Sequence, residues 1–480
     1  MQFTREIHRL LLGLLFGFIL ILLSATYYAV IGPETILQRD DNARLFEAEA
    51  SILRGRIYDR NGNLLVTSVQ DENGFVSRRT FYPETYSALG YYSLRYGVSG
   101  AESAYDTLLR GDNLPYDLGT YFVQDILHRP RQGSDIRLTL DLNVQRDLVR
   151  LMQDHQGAGV ILSVPDGEIL ALVSLPTINP NTLDTNWAQL RASPGNPFFN
   201  RVLQGKYQPG SLMLNLLIAA AISNQVPLTT SFTNATRPIL LGDVVLSCET
   251  PSATATLTLQ EAYELGCPSP FVDLVNQLDG ENIGTSFSHF QLGEPFLLPG
   301  FVSPIQAQPT VSANSAILST PFPDEAITLE DALGQGQLTT TPLRMALIAA
   351  GIVNNGNAPE PITFLASRPP NTTEWLAAEA LHPTTPITTI EIAGQLQGLM
   401  RGNMREFVAN QRVVGGYSAL AYSGLQTQTW FIGFMLTPSG RGVVIALLIE
   451  NSDDLALVQS IGLDALESAL RSVAVTLTAP

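Results

Sequence analysis

Ser211 is the residue of this chain best suited to covalent chemistry. It follows Pro209-Gly210 and opens the apolar run Leu212-Met213-Leu214. A serine hydroxyl is a poor nucleophile until a neighbouring base takes its proton. A lysine three residues further along a helix would stand one turn up on the same face, and that position is Leu214. The chain contains a single lysine, Lys206. It precedes Ser211 across Pro209-Gly210, in the loop entering the helix, and that segment would have to fold back on itself to deliver the amine. Geometry comes before pKa in naming a base, so Lys206 reads as a solvent-exposed loop residue. Ser211 also reads as a helix N-cap. Leu212, Met213, Leu214, Leu216, Leu217 and Ile218 make the helix apolar nearly all round, as a buried central helix should be.

Cys248 and Cys267 lie 19 positions apart, and the histidines (His8, His128, His155, His289, His382) are scattered. No metal-ligand spacing surrounds them, so no metal site is expected. Cys267 has no histidine near it in sequence and reads as a buried thiol, not as a nucleophile. A Cys248–Cys267 disulfide stays open if the domain lies outside the cytoplasm, with two buried thiols as the alternative.

At 480 residues the chain suggests two or three domains. Hydrophobic residues make up 45% and charged residues 15%, enough apolar surface for a large core. The formal net charge of −17 opposes nucleic-acid binding, which needs a basic footprint. Leu10 to Ile31 is an almost unbroken apolar run, long enough at ~1.5 Å per residue to span a ~30 Å hydrocarbon core. Arg5 and Arg9 precede it and Tyr27 and Tyr28 sit near its far end, which predicts an uncleaved anchor, with a cleaved signal peptide as the rival reading, a cytoplasmic N-terminus and an extracytoplasmic body.

Beyond the anchor, residues 33–53 read as a juxtamembrane helix, and Asn61-Gly62 as a tight turn between short strands. A strand from Asp135 to Leu140 runs into a helix capped by Asp141. Residues 158–174 form a hairpin of core strands about Pro165-Asp166-Gly167. Helices are expected over Leu212–Ser223, Leu259–Leu265 and Pro342–Val353, then strands over Thr429–Met435 and Gly442–Leu448 and a last helix from about Ser452 to Val473. Residues 294–327 and 355–390, rich in Pro, Thr and Ala, read as loops or insertions. Strands at both ends with helices between them predict an α+β domain.

Six segments, in order, resemble the monofunctional (class B) penicillin-binding proteins of bacterial cell-wall synthesis. They are GRIYDRNG (Gly55–Gly62), YGVSGAESAYDTLLRG (Tyr96–Gly111), LTLDLNVQ (Leu138–Gln145), NRVLQGKYQPGS (Asn200–Ser211), GQGQLTTTPLRMA (Gly334–Ala346) and WFIGF (Trp430–Phe434). The resemblance implies an anchor at 10–31 after a tail at 1–9, a small β-rich pedestal at 32–150, and a transpeptidase-like domain at 151–480. It also implies a five-stranded antiparallel sheet between helices, with Ser211 at the N-terminus of the central helix.

The family's chemistry is acyl transfer through S-x-x-K, S-x-N and K-T/S-G motifs. Ser211 stands at the nucleophile's place, but Leu214 replaces the first lysine. The second motif falls at Gly266-Cys267-Pro268, without its serine or asparagine. The third reads Tyr422-Ser423-Gly424, keeping Ser and Gly and losing its lysine. One lysine in the whole chain leaves no shifted alignment that restores both. The resemblance thus implies a pseudo-transpeptidase serving as scaffold or regulator beside cell-wall enzymes such as a lipid II polymerase in the division or elongation complex, with stem peptides or β-lactams as cleft ligands and no cofactor. The alternatives are an active D,D-transpeptidase using Ser211 with an unconventional base, and a binding module that reuses the cleft.

Overall fold

A computed structural model describes residues 2–30, 49–71, 76–115, 118–127, 129–278, 280–292, 298–301, 327–379, 382–405, 412–424 and 426–478. The chain begins with α1 (Gln2–Val30), within which Ile7–Tyr27 is apolar and long enough to cross a membrane. The expected juxtamembrane helix falls mostly outside the described residues. The chain continues through β1 (Ile57–Tyr58), β2 (Leu64–Gln70), β3 (Val76–Thr80) and β4 (Asp135–Leu138) to α2 (Leu142–Met152). The Asp141 carboxylate caps α2 by accepting from Asn143 N–H and Val144 N–H. Next come the hairpin β5 (Gly157–Val164) and β6 (Ile169–Leu175), the buried helix α3 (Met213–Ser223) and the small hairpin β7 (Ile239–Leu241) and β8 (Val244–Leu246). Helices α4 (Leu259–Glu264), α5 (Ser269–Gln277) and α6 (Pro342–Val353) follow. The chain ends through β9 (Phe364–Arg368), β10 (Leu376–Ala377), α7 (Ile390–Asn403), β11 (Val413–Ser423), β12 (Gln426–Leu436), β13 (Gly442–Glu450) and α8 (Leu455–Thr478).

The large domain is built on a five-stranded antiparallel sheet in the order β11-β12-β13-β5-β6. Successive side chains of a strand point to opposite faces, and here both faces are covered. On β12, Trp430, Ile432 and Phe434 join α3 and α6 in one core, while Phe431 and Met435 join α2 and α8 in the other. That double burial explains why β5, β6 and β13 read as continuous apolar runs instead of alternating ones. Strand β11 lies at the outer edge.

A second, six-stranded sheet runs β10-β9-β4-β1-β2-β3. Its β9 and β10 come from the segment 355–390, which the sequence presents as a loop. Phe364 to Arg368 pairs with β4 by backbone hydrogen bonds, which Pro- and Thr-rich flanks do not advertise. Segment 294–327 lies almost entirely outside the described residues.

Candidate active site

The loop before Ser211 is held on two sides. Tyr207 and Thr340 exchange backbone hydrogen bonds, and Gly210 N–H donates to Gly334 O at 3.0 Å. On the other side, Trp430 Nε1–H donates to Gln208 O at 3.0 Å. Gly210 has φ +58°, and a Cβ there would meet Leu420 O at 2.2 Å. Only glycine lets the start of this helix sit so close to β11.

Ser211 does not cap the helix. The chain turns through one 3₁₀ turn, Gly210–Leu212, whose N-cap is Pro209 and which makes no side-chain cap bond. The Ser211 hydroxyl donates instead to the carboxylate of Glu249. The same Glu249 Oε1 accepts Leu420 N–H of β11 at 3.3 Å. Glu249 therefore bridges the helix start and the edge strand.

Glu249 reaches this place because its neighbours are tied down. Cys248 and Cys267 form a disulfide, and Thr250 N–H donates to Leu265 O at 3.0 Å. The expectation of a buried thiol at Cys267 is corrected: its sulfur is bonded, and no cysteine is free. Gly266, in the second-motif position, has φ +61°, and a Cβ on it would lie 2.7 Å from Glu249 Oε2. The carboxylate thus fills the space into which a side chain at 266 would project. Burial pushes the Glu249 carboxyl up to about 7, against the opposing pull of the Ser211 and Leu420 hydrogen bonds. Among the described residues no cation pairs with it.

The other candidate positions surround this contact. Leu214 is 2% exposed and belongs to the main core. Pro268 is buried and precedes α5 as its N-cap residue. Tyr422 is half-buried near the end of β11, and burial, Glu249 and Asp453 push its phenol up. Its N–H donates to Gln335 Oε1 at 3.0 Å. Ser423 ends β11, and exposed Gly424, at φ +61°, starts the turn to β12; Leu425 lies outside the described residues. Beneath Ser211, the buried Tyr263 hydroxyl donates to Asn215 Oδ1 at 2.7 Å, and Asn215 Nδ2 donates to Leu212 O at 3.0 Å. Lys206 is exposed.

The fold therefore brings Ser211, Gly266 and β11 together around Glu249. Sequence reasoning missed Glu249. Its one signal is position: it follows a cysteine whose partner, Cys267, sits inside the second motif.

The model of the penicillin binding protein transpeptidase domain matches residues 157–467. Peptidoglycan D,D-transpeptidase PbpA of Mycobacterium tuberculosis is 28% identical over 94% of this chain and 96% of its own length. PbpA of Mycolicibacterium smegmatis is 27% identical over 97% and 99%. The structure of M. tuberculosis penicillin-binding protein A as an imipenem acyl-enzyme complex superposes with a TM-score of 0.74 at 27% identity, covering 88% of this chain and 99% of that one.

Proposed function

Because the chain belongs to the penicillin-binding transpeptidase family, we propose that it is a non-catalytic component of peptidoglycan synthesis that keeps the fold and holds its serine idle. It acts as a scaffold or regulator for cell-wall enzymes. The observation that carries this reading is Glu249, which takes both the Ser211 hydroxyl and a backbone N–H of the edge strand in a cleft whose motif positions hold no lysine.

Charge supports the same reading. In this family the third-motif strand binds the substrate's carboxylate, and here that strand carries Tyr422 where the lysine belongs. An ionised Glu249 would repel an incoming carboxylate in a partly desolvated slot, where like charges are costly. The outer N–H groups of Leu420 and Tyr422 are also both taken by side chains, Glu249 and Gln335.

One observation favours a second reading. Glu249 accepts from Ser211 and titrates near neutrality, as a general base for that serine would. Against it, the family's catalytic groups act as a unit, and several are missing at once.

Incubating the full chain with a fluorescent penicillin separates the two, beside Ser211→Ala and Glu249→Gln. The proposal expects no covalent label on any of the three. A label on the wild type that disappears in both variants would make Glu249 a base and overturn it.

A further inference from the structure

Residues 248–250 run against 265–267 and are tied to them by the Cys248–Cys267 disulfide and by the Thr250 N–H to Leu265 O bond. Glu249 lies between these ties. The hairpin before it is anchored on its inner face by the buried Ile239 and Leu241, and Ala235 N–H donates to Ala255 O beyond it, but the outer side of the stretch is open. In the preceding hairpin the paired residues Leu240 and Val245 are 69% and 58% exposed, and most of residues 250–256 face solvent. The Glu249 carboxyl itself gains two hydrogen bonds but gives up water without a cation in return, a weak hold for an ionisable group. The covalent tie is the strongest link keeping it in the cleft.

We propose that the Cys248–Cys267 disulfide is a redox latch: closed, it holds Glu249 on Ser211 and on the β11 edge, and reduction by a thioredoxin-like dithiol lets Glu249 leave for water and uncovers both. The inference rests on the reading of Glu249 as the occupant of the serine's site. The exchange begins at Cys248, which is partly exposed, whereas Cys267 is fully buried. A thiolate of the dithiol attacks the Cys248 sulfur, forming a mixed disulfide and releasing the Cys267 thiolate, which takes up a proton. The second thiol of the reductant, as its thiolate, then displaces Cys248. The two electrons that break the bond come from the dithiol, which leaves as its own disulfide, and the protein is left with two thiols.

The outer edge of β11 supplies both the readout and its control. Leu420 N–H is covered by Glu249, whereas Tyr422 N–H, two residues on, is covered by Gln335 and does not depend on the latch. Residue-resolved hydrogen–deuterium exchange is measured on the full chain in detergent micelles, oxidised and after treatment with a thioredoxin-like dithiol. The Cys248→Ser/Cys267→Ser variant, without reductant, is measured beside them. The latch predicts that Leu420 exchanges at least about tenfold faster in the reduced and variant proteins while Tyr422 is unchanged. An unchanged Leu420 overturns it, because Glu249 then stays without the tie. Equal acceleration of both amides also overturns it, because the strand has then loosened as a whole. The readout needs no acylation, so penicillin labelling of the oxidised protein would remove the proposed function and leave the exchange result standing.

Discussion

Two carboxylates in this molecule leave water under opposite terms. Beside the six-stranded sheet, Glu102 accepts from Arg54 Nη2 at 2.9 Å and from Arg78 Nε at 2.6 Å, and all three side chains are at most 5% exposed. Burial works to raise its carboxyl, but the two guanidinium groups outweigh burial and hold it below the ordinary range. Among the described residues, Glu249 in the cleft has a hydroxyl and an amide for partners and no cation, so burial wins and its carboxyl rises to about 7. Glu102 is a fixed charge that ties Arg54 to Arg78. Glu249 is a group that changes state near neutral pH, at the place where the family does its chemistry.

The largest effect should come from breaking the matched set. Glu102→Ala leaves Arg78 buried without an anion and Arg54 with Asp106 alone, and should cost about 3–5 kcal/mol in a denaturant titration. Glu249→Gln should have the opposite sign. The folded carboxyl titrates at about 7 against an ordinary 4.5. The wild type therefore binds the extra proton when folded, and loses stability as pH rises from 4.5 towards 7. The glutamine variant, which never ionises, should match the wild type at pH 4 and exceed it by on the order of 3 kcal/mol at pH 8. Equal stability at both pH values would mean that Glu249 is solvated. Smaller still, Ser211→Ala removes a hydrogen bond worth about 1 kcal/mol. Because that bond pulls the carboxyl down, its loss should move the midpoint of the pH dependence upward.

Much of the fold was legible because both cores are written in strong apolar patterns. Helix α6 has the bounds Pro342–Val353 that its capping threonine and apolar run announce. The hairpin β5–β6 carries enough Val, Ile and Leu to be read as core strands. Strand β11 carries no strand pattern of its own, since Gly415-Gly416 and the small Ala419 and Ala421 dilute the signal and partner strand β12 supplies the pairing. At the site, motif order names Ser211, Gly266 and Tyr422, and the fold sets them near one another. It gave no hint of Glu249, because what brings that residue in is a disulfide and a glycine that vacates space, and neither has a local pattern. The N-cap role assigned to Ser211 failed for a related reason: with Glu249 in reach, the hydroxyl has a charged acceptor across the cleft.

The proposed restraint of Ser211 by Glu249 is open to a single assay. The most direct test is turnover of an acyl-D-alanyl thioester by the full chain from pH 6 to 9, beside Ser211→Ala and Glu249→Gln. The wild type should not exceed the Ser211→Ala background at any pH. Serine-dependent turnover that rises through an apparent pKa of about 7 and vanishes in Glu249→Gln would contradict it, and would make the same carboxylate the base of a working enzyme.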